Sequence, residues 1–203
     1  MSDPSDPQSL KQAIREQARK ARIAQADKDA VSIALCGAFM ALPAYAAART
    51  VMWYADAGSE VRTRQMLPIA LTHGKRVIVP YCLVETNELE LFHLEDMNEL
   101  VEGAYKILDP KPELRGLSSK RIAPEELDLV MVPGTAFDPH GSRMGQGKGY
   151  YDRLLKSARP DAPLVGMAFD GQIFPQIPMA PHDISMDLVL TPTATYTGRG
   201  RAC

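Results

Sequence analysis

The chain has 203 residues, 45% of them hydrophobic and 24% charged, which is the make-up of an ordinary globular protein and not of a fibrous, collagen-like or disordered one. Against domains of roughly 100 to 200 residues, this length predicts one large domain or two tightly packed lobes. Its 23 basic and 25 acidic residues leave a net charge of −2, so no global field gathers nucleic acid or an anionic membrane. Any anion must be held by a local site.

Cys36, Cys82 and Cys203 are odd in number, widely separated and form no CxxC or Cys/His zinc spacing, which points to a reducing cytosol and a cytoplasmic protein. The N-terminus is polar and lacks the parts of a signal peptide. Residues 30–48 carry no formal charge, but Ser32, Gly37 and Pro43 interrupt a run that is largely Ala, so a buried helix is expected there and not a membrane span.

In chain order, a tail over residues 1–8 precedes an S-x-x-Q capping box at Ser9 and Gln12, which predicts a helix over residues 10–25. A second helix follows, with Asp27 as cap, Val31, Leu35, Phe39 and Leu42 as its apolar face, and Pro43 as its end. Residues 51–54 read as a strand feeding a loop at Asp56, Gly58 and Ser59. A helix over residues 60–73 comes next, with a kink or early break at Pro68. Residues 76–80, 89–94, 127–132, 164–169 and 188–191 are short, apolar and partly β-branched, as buried strands are. Residues 109–124, with three Pro and one Gly, read as a surface excursion. The expected architecture is α/β: a mainly parallel sheet with helices on both faces, in which ligands sit beyond the C-terminal strand ends.

The most informative stretch is residues 132–155, which pass from an apolar strand through a Gly-rich loop into an amphipathic helix. Gly141, Gly145, Gly147 and Gly149 permit positive φ and close backbone approach, while the first turn of the helix offers unpaired N–H groups. Arg143 adds a bidentate fork for phosphate oxygens and Lys148 a compact charge. The loop is neither a Walker A sequence, which would need Gly at Ser142 and a hydroxyl at Gly149, nor a G-x-G-x-x-G fingerprint, whose last glycine would fall at Tyr150.

The segment FDPHGSRMGQGKGYYDR resembles the signature of the 5-formyltetrahydrofolate cyclo-ligase family, also called methenyltetrahydrofolate synthetases. Lys11 and Arg15 resemble the family's N-terminal Lys-x-x-x-Arg pair, Gly58 to Val61 with Thr63 its first strand-end loop, residues 168–172 a later segment, and His182-Asp183 with Asp187 its C-terminal motif. The resemblance implies a three-layer α/β/α, Rossmann-like fold of the NagB/RpiA/CoA-transferase kind, as a single cyclo-ligase domain over residues 1–203. It also implies ATP- and Mg²⁺-dependent closure of 5-formyltetrahydrofolate to 5,10-methenyltetrahydrofolate. A formyl amide is a poor electrophile, so the family's route phosphorylates its oxygen before N10 attacks. That chemistry needs positioning and charge neutralisation more than a protein nucleophile.

By the same resemblance Lys148 and Arg143 are catalytic. ATP is held by Lys11, Arg15, Arg143, Met144, Gly145, Gln146, Gly147, Lys148, Gly149, Tyr150 and Tyr151. The folate, with or without a polyglutamate tail, is held by Ala55, Glu60, Tyr105, Gln146, Gly147, Lys148, Gly149 and Tyr150, and Mg²⁺ by Asp152 and Asp183. Lys11 and Arg15 lie i, i+4 on one helical face, nearly in line with Arg19 and Arg22, which read as plain solvated charge. Asp152 could equally answer the helix dipole, Glu60 could cap the following helix, and the tyrosines could be ordinary packing. His140 and His182 are poor Mg²⁺ ligands and are left out.

Gln146 stands where the family commonly carries Arg, and Met144 replaces a usual Leu. The first change removes a positive charge. Nucleic-acid and membrane partners are not expected, and a monomer is. The competing readings are a paralogue that binds nucleotide or folate without turnover, and an unrelated phosphate-binding enzyme on a similar scaffold.

Overall fold

The computed structural model of the protein describes residues 7–103 and 107–201. Five helices are used below: α1 (Pro7–Ala24), α2 (Lys28–Met40), α3 (Pro43–Ala47), α4 (Leu67–Leu71) and α5 (Tyr150–Ser157). The central sheet holds eight strands: β1 (Thr50–Met52), β2 (Arg76–Leu83), β3 (Glu88–Leu94), β6 (Arg121–Ile122), β7 (Leu129–Pro133), β10 (Leu164–Met167), β11 (Leu188–Leu190) and β12 (Thr195–Thr197). Their order is β12-β11-β10-β7-β1-β2-β3-β6. The five strands from β11 to β2 are parallel, and β12 on one edge and β3 and β6 on the other are antiparallel. Two small hairpins, β4 (Leu100–Glu102) with β5 (Leu108–Pro110) and β8 (Ala136–Phe137) with β9 (Arg143–Met144), stand apart from this sheet.

Alternation along the parallel strands divides the core into two layers. Val51, Trp53, Val77, Val79, Leu129 and Met131 pack with Leu35, Cys36 and Phe39 of α2, Tyr45 of α3 and Leu67 and Ala70 of α4. Their neighbours Met52, Ile78, Val130 and Val132 face the other way, onto Leu154 and Leu155 of α5. A sheet buried on both faces needs apolar residues at every strand position, which is why these strands read as continuous apolar runs. Burial pushes the Cys36 thiol up to about 12, marking it as a core residue.

The expected α/β architecture and mainly parallel sheet are present, with several boundaries moved. α1 is already helical at Pro7, ahead of the capping box and inside the expected tail. Asp27 sits at the N-cap of α2 but makes no side-chain cap bond there. Pro43 opens a short helix instead of only ending one, since its missing N–H is unneeded in a first turn. Residues 30–48 are therefore two helices, and among the described residues no helix is long and apolar enough to cross a membrane. The helix expected over residues 60–73 begins only with a 3₁₀ turn at Arg64, and Pro68 lies in the first turn of α4 where it breaks nothing. Asp56 accounts for the late start, because its Oδ1 accepts from the backbone N–H of Thr63 (2.9 Å) and Arg64 (2.8 Å). The excursion over residues 109–124 also contributes β6 to the sheet edge.

Topology then sets where a ligand can sit. From β1 the chain moves to β2 on one side, and it later returns to β7 on the other side of β1. The loops leaving β1 and β7, residues 53–63 and 134–149, thus diverge from adjacent strand ends, the position where open parallel sheets bind ligands.

Candidate active site

The Gly-rich loop is held from beneath by a carboxylate that the sequence reading did not single out. Asp138 is 1% exposed, and its Oδ1 accepts from the backbone N–H of His140 and Ser142, both at 2.9 Å. Its Oδ2 accepts from Ile177 N–H at 2.9 Å, tying the loop to a distant segment. Gly141 has φ +84°, and a Cβ there would lie 2.3 Å from the Met186 carbonyl oxygen, so both backbone conformation and space demand glycine. Beyond β9 the loop is exposed at Gln146, Gly147 and Lys148. It enters α5 through Gly149, an N-cap with φ +68°.

Arg143 projects from β9 with its side chain 3% exposed. It donates to Asp152 Oδ1 at 2.6 Å, and its guanidinium carbon lies 5.8 Å from the Tyr151 ring centroid. Its Nε is buried with no hydrogen-bond partner among the described residues, and its Nη1 donates to the Pro133 carbonyl at 3.5 Å. Asp152 lies in the first turn of α5, so it answers both Arg143 and the helix dipole.

The Tyr151 hydroxyl is held well above its ordinary range by burial first and by Glu60 second, with Arg143 opposing. The Cys82 thiol, at the end of β2, is raised by burial and by Asp109, with Lys148 opposing. The Arg143 guanidinium and the Tyr151 ring are neighbours at the entry to α5.

Glu60 is almost buried, its side chain 13% exposed. Its Oε2 accepts from Ala57 N–H at 3.0 Å, and desolvation raises its pKa despite that bond and the nearby Arg22. It does not cap a helix, since α4 begins four residues beyond the 3₁₀ residue Arg64's own neighbour Thr63 and Asp56 fills the capping role. Ala55, in the same loop, is buried.

α1 lies against both loops. Arg15 Nε donates to the Gly145 carbonyl at 3.2 Å, and Lys11 Nζ pairs with Asp183 Oδ2 at 3.3 Å. That Oδ2 also accepts from Ala180 N–H at 2.7 Å. Arg19 is exposed as expected, but Arg22 is 6% exposed and is no solvated charge. It donates to Ser59 Oγ at 2.9 Å and to the Gly134 carbonyl at 3.4 Å, and it lies 3.8 Å from Glu60 Oε1. The missed signal was its register with Ile14 and Ala18, the buried stripe of α1.

Of the remaining expected residues, Met144 is buried in the layer under α1, and Tyr150 donates to Asn87 Oδ1 at 3.3 Å at the surface. Tyr105 lies outside the described residues. His140 and His182 are exposed.

This architecture and these loops are shared with known proteins. A family model described as the 5-formyltetrahydrofolate cyclo-ligase family matches residues 7–192. A probable 5-formyltetrahydrofolate cyclo-ligase of Schizosaccharomyces pombe is 34% identical over 81% of this chain and 85% of its own length. The 5-formyltetrahydrofolate cyclo-ligase of Escherichia coli is 30% identical over 77% of this chain and 85% of its own. The solved structure of Aquifex aeolicus 5,10-methenyltetrahydrofolate synthetase superposes with a TM-score of 0.79 at 32% identity, covering 96% of each chain. Because these matches run through α1, both switch-point loops and the parallel sheet together, the chain belongs to the 5-formyltetrahydrofolate cyclo-ligase family.

Proposed function

We propose that this protein closes 5-formyltetrahydrofolate to 5,10-methenyltetrahydrofolate at the expense of ATP. The observation that carries the proposal is the meeting of two chemically different loops at the switch point. One is a near-buried carboxylate loop around Glu60, and the other is the Gly-rich loop with Arg143 and Lys148, backed by Lys11 and Arg15. The γ-phosphoryl group moves to the formyl oxygen, forming an O–P bond as the bond to ADP breaks. N10 then attacks the formyl carbon, the carbon–oxygen bond breaks with phosphate as leaving group, and N10 loses its proton. Lys148 and Arg143 neutralise the oxygens of the transferring group, which is the dominant catalytic demand of phosphoryl transfer.

Lys11 and Arg15, with the loop from Met144 through Tyr151, hold the ATP phosphates. Glu60 accepts from pterin N–H groups. Ala55, Tyr105 and residues 146–150 complete the folate side. Mg²⁺ needs oxygen ligands and few from protein, and Asp152 and Asp183 fit that donor set, each a partly exposed carboxylate beside a phosphate-binding cation. Bound there, Mg²⁺ would offset the negative charge of the phosphates. Arg143 meanwhile is held in place by Asp152, so its donors are aimed before ATP arrives. A monomer in the cytoplasm, acting on mono- or polyglutamylated substrate without nucleic acid or membrane, completes the proposal.

The test is absorbance of the methenyl chromophore from purified protein, 5-formyltetrahydrofolate and MgATP. Product is expected only when ATP and Mg²⁺ are both present. Folded protein that makes none would return the function to a binding paralogue.

One departure from the family pattern has its own expected result. Gln146 is exposed, between the glycine whose carbonyl Arg15 holds and Gly147. Restoring positive charge with Gln146→Arg is expected to lower KM for MgATP or for polyglutamylated folate severalfold. Unchanged KM values for both would show that the position is silent.

A further inference from the structure

Arg22 is a buried guanidinium on the last turn of α1 that reaches both loops of the switch point. Its donors go to Ser59 Oγ in the β1 loop and to the Gly134 carbonyl at the start of the β7 loop, and its charge faces Glu60 Oε1 at 3.8 Å. We infer that Arg22 is a positioning residue for folate recognition, which fixes the Glu60 carboxylate and offsets its charge at the junction of the two loops. This rests on the reading of Glu60 as the acceptor for pterin N–H groups.

An isolated buried carboxylate carries a large desolvation cost. Burial favours the neutral acid, and a protonated Glu60 loses acceptor capacity toward an N–H donor. The groups facing Glu60 are few. Arg22 on α1 and the Ala57 N–H favour the charged form, whereas Asp56 in its own loop opposes it. From the neighbouring elements come Tyr54 at the end of β1 and Tyr151 on α5. Both hydroxyls are held well above their ordinary range by burial first and Glu60 second, so they are neutral at physiological pH. Arg22 is thus the cation that offsets the burial of Glu60. Burial lowers the pKa of Arg22 itself, and Glu60 is the largest influence raising it again. A guanidinium keeps its charge under such pressure, and its planar fork lets it reach both loops at once.

The sign of the pH effect follows. The folded pKa of Glu60 lies above its ordinary value, so ionisation and folate affinity are lost as pH falls through it. Removing Arg22 raises that pKa further and moves the loss to higher pH.

The experiment is calorimetric binding of 5-formyltetrahydrofolate, without ATP, to intact wild-type, Arg22→Gln, Glu60→Gln and double-variant protein between pH 6 and 8.5, with KM for MgATP alongside. Arg22→Gln is expected to weaken folate binding about tenfold, more at pH 6 than at pH 8.5, with KM for MgATP within twofold of wild type. The double variant should bind no more weakly than Glu60→Gln alone, because Arg22 acts through the group already removed. Arg22→Lys, which keeps a charge but loses the fork, should recover part of the affinity. Additive losses in the double variant, or a loss independent of pH, would overturn the inference and leave Arg22 a structural residue. If Glu60→Gln binds as wild type at every pH, the Glu60 reading itself fails, and the inference with it. Should Arg22→Gln not fold, the same cycle run with Arg22→Lys decides between the same outcomes.

Discussion

Lys148→Ala is expected to lower kcat for cyclisation by about 10²- to 10³-fold, the loss that follows removal of one preorganised charge from a transition state. Lys148 is exposed on the loop between Gly147 and Gly149, and its charge is felt at Cys82 on the end of β2. Exposed side chains away from caps and cores change stability by about 0.5 kcal/mol or less, so the melting temperature should move by no more than about 2 °C. Activity would then be lost from a protein that is still folded. Steady-state kinetics with a thermal melt on the same preparation checks both halves. A variant retaining more than a third of wild-type kcat would remove Lys148 from the transfer step.

Asp138→Ala is expected to destabilise the protein by about 3 to 5 kcal/mol. The carboxylate accepts from three backbone N–H groups of two separated segments, and its deletion leaves His140, Ser142 and Ile177 donors without their acceptor in a buried setting. A hydrogen bond to a charged group contributes about 1.5–3 kcal/mol, and orphaned buried donors add to the loss. Asp138→Asn keeps an acceptor for the Oδ1 pair but sets an amide NH₂ against Ile177 N–H, so its cost should be smaller, about 1 to 3 kcal/mol. Urea unfolding measures both. A loss under about 1 kcal/mol for the alanine variant would mean that the loop is held by other contacts.

The parts that sequence revealed were those with local physical signatures. The parallel strands showed as apolar runs because both sheet faces are buried, as at Val77, Ile78 and Val79. The loop from Gly141 to Gly149 showed because positive φ and close approach need glycine there. What stayed hidden depends on tertiary neighbours. Asp138 and Asp56 look like ordinary loop acids until their backbone partners are known. Arg22 looked like one more charge on a basic helix, yet its place beside Ala18 puts it between the two loops. Pro43 carries a conflict that only packing resolves, since proline both ends one helix and suits the first turn of the next. Pairings such as Arg143 with Asp152 and Lys11 with Asp183 join residues whose proximity no spacing rule supplies for the second pair, 172 positions apart.

The most direct test follows one atom. Substrate carrying ¹⁸O in its formyl group is turned over with MgATP in unlabelled water, and the released phosphate is examined by mass spectrometry. Transfer of the γ-phosphoryl group to the formyl oxygen predicts one ¹⁸O atom in each phosphate formed with product. Unlabelled phosphate, with the ¹⁸O released to water, would contradict it, because ATP would then be cleaved without ever activating the oxygen that ring closure must expel.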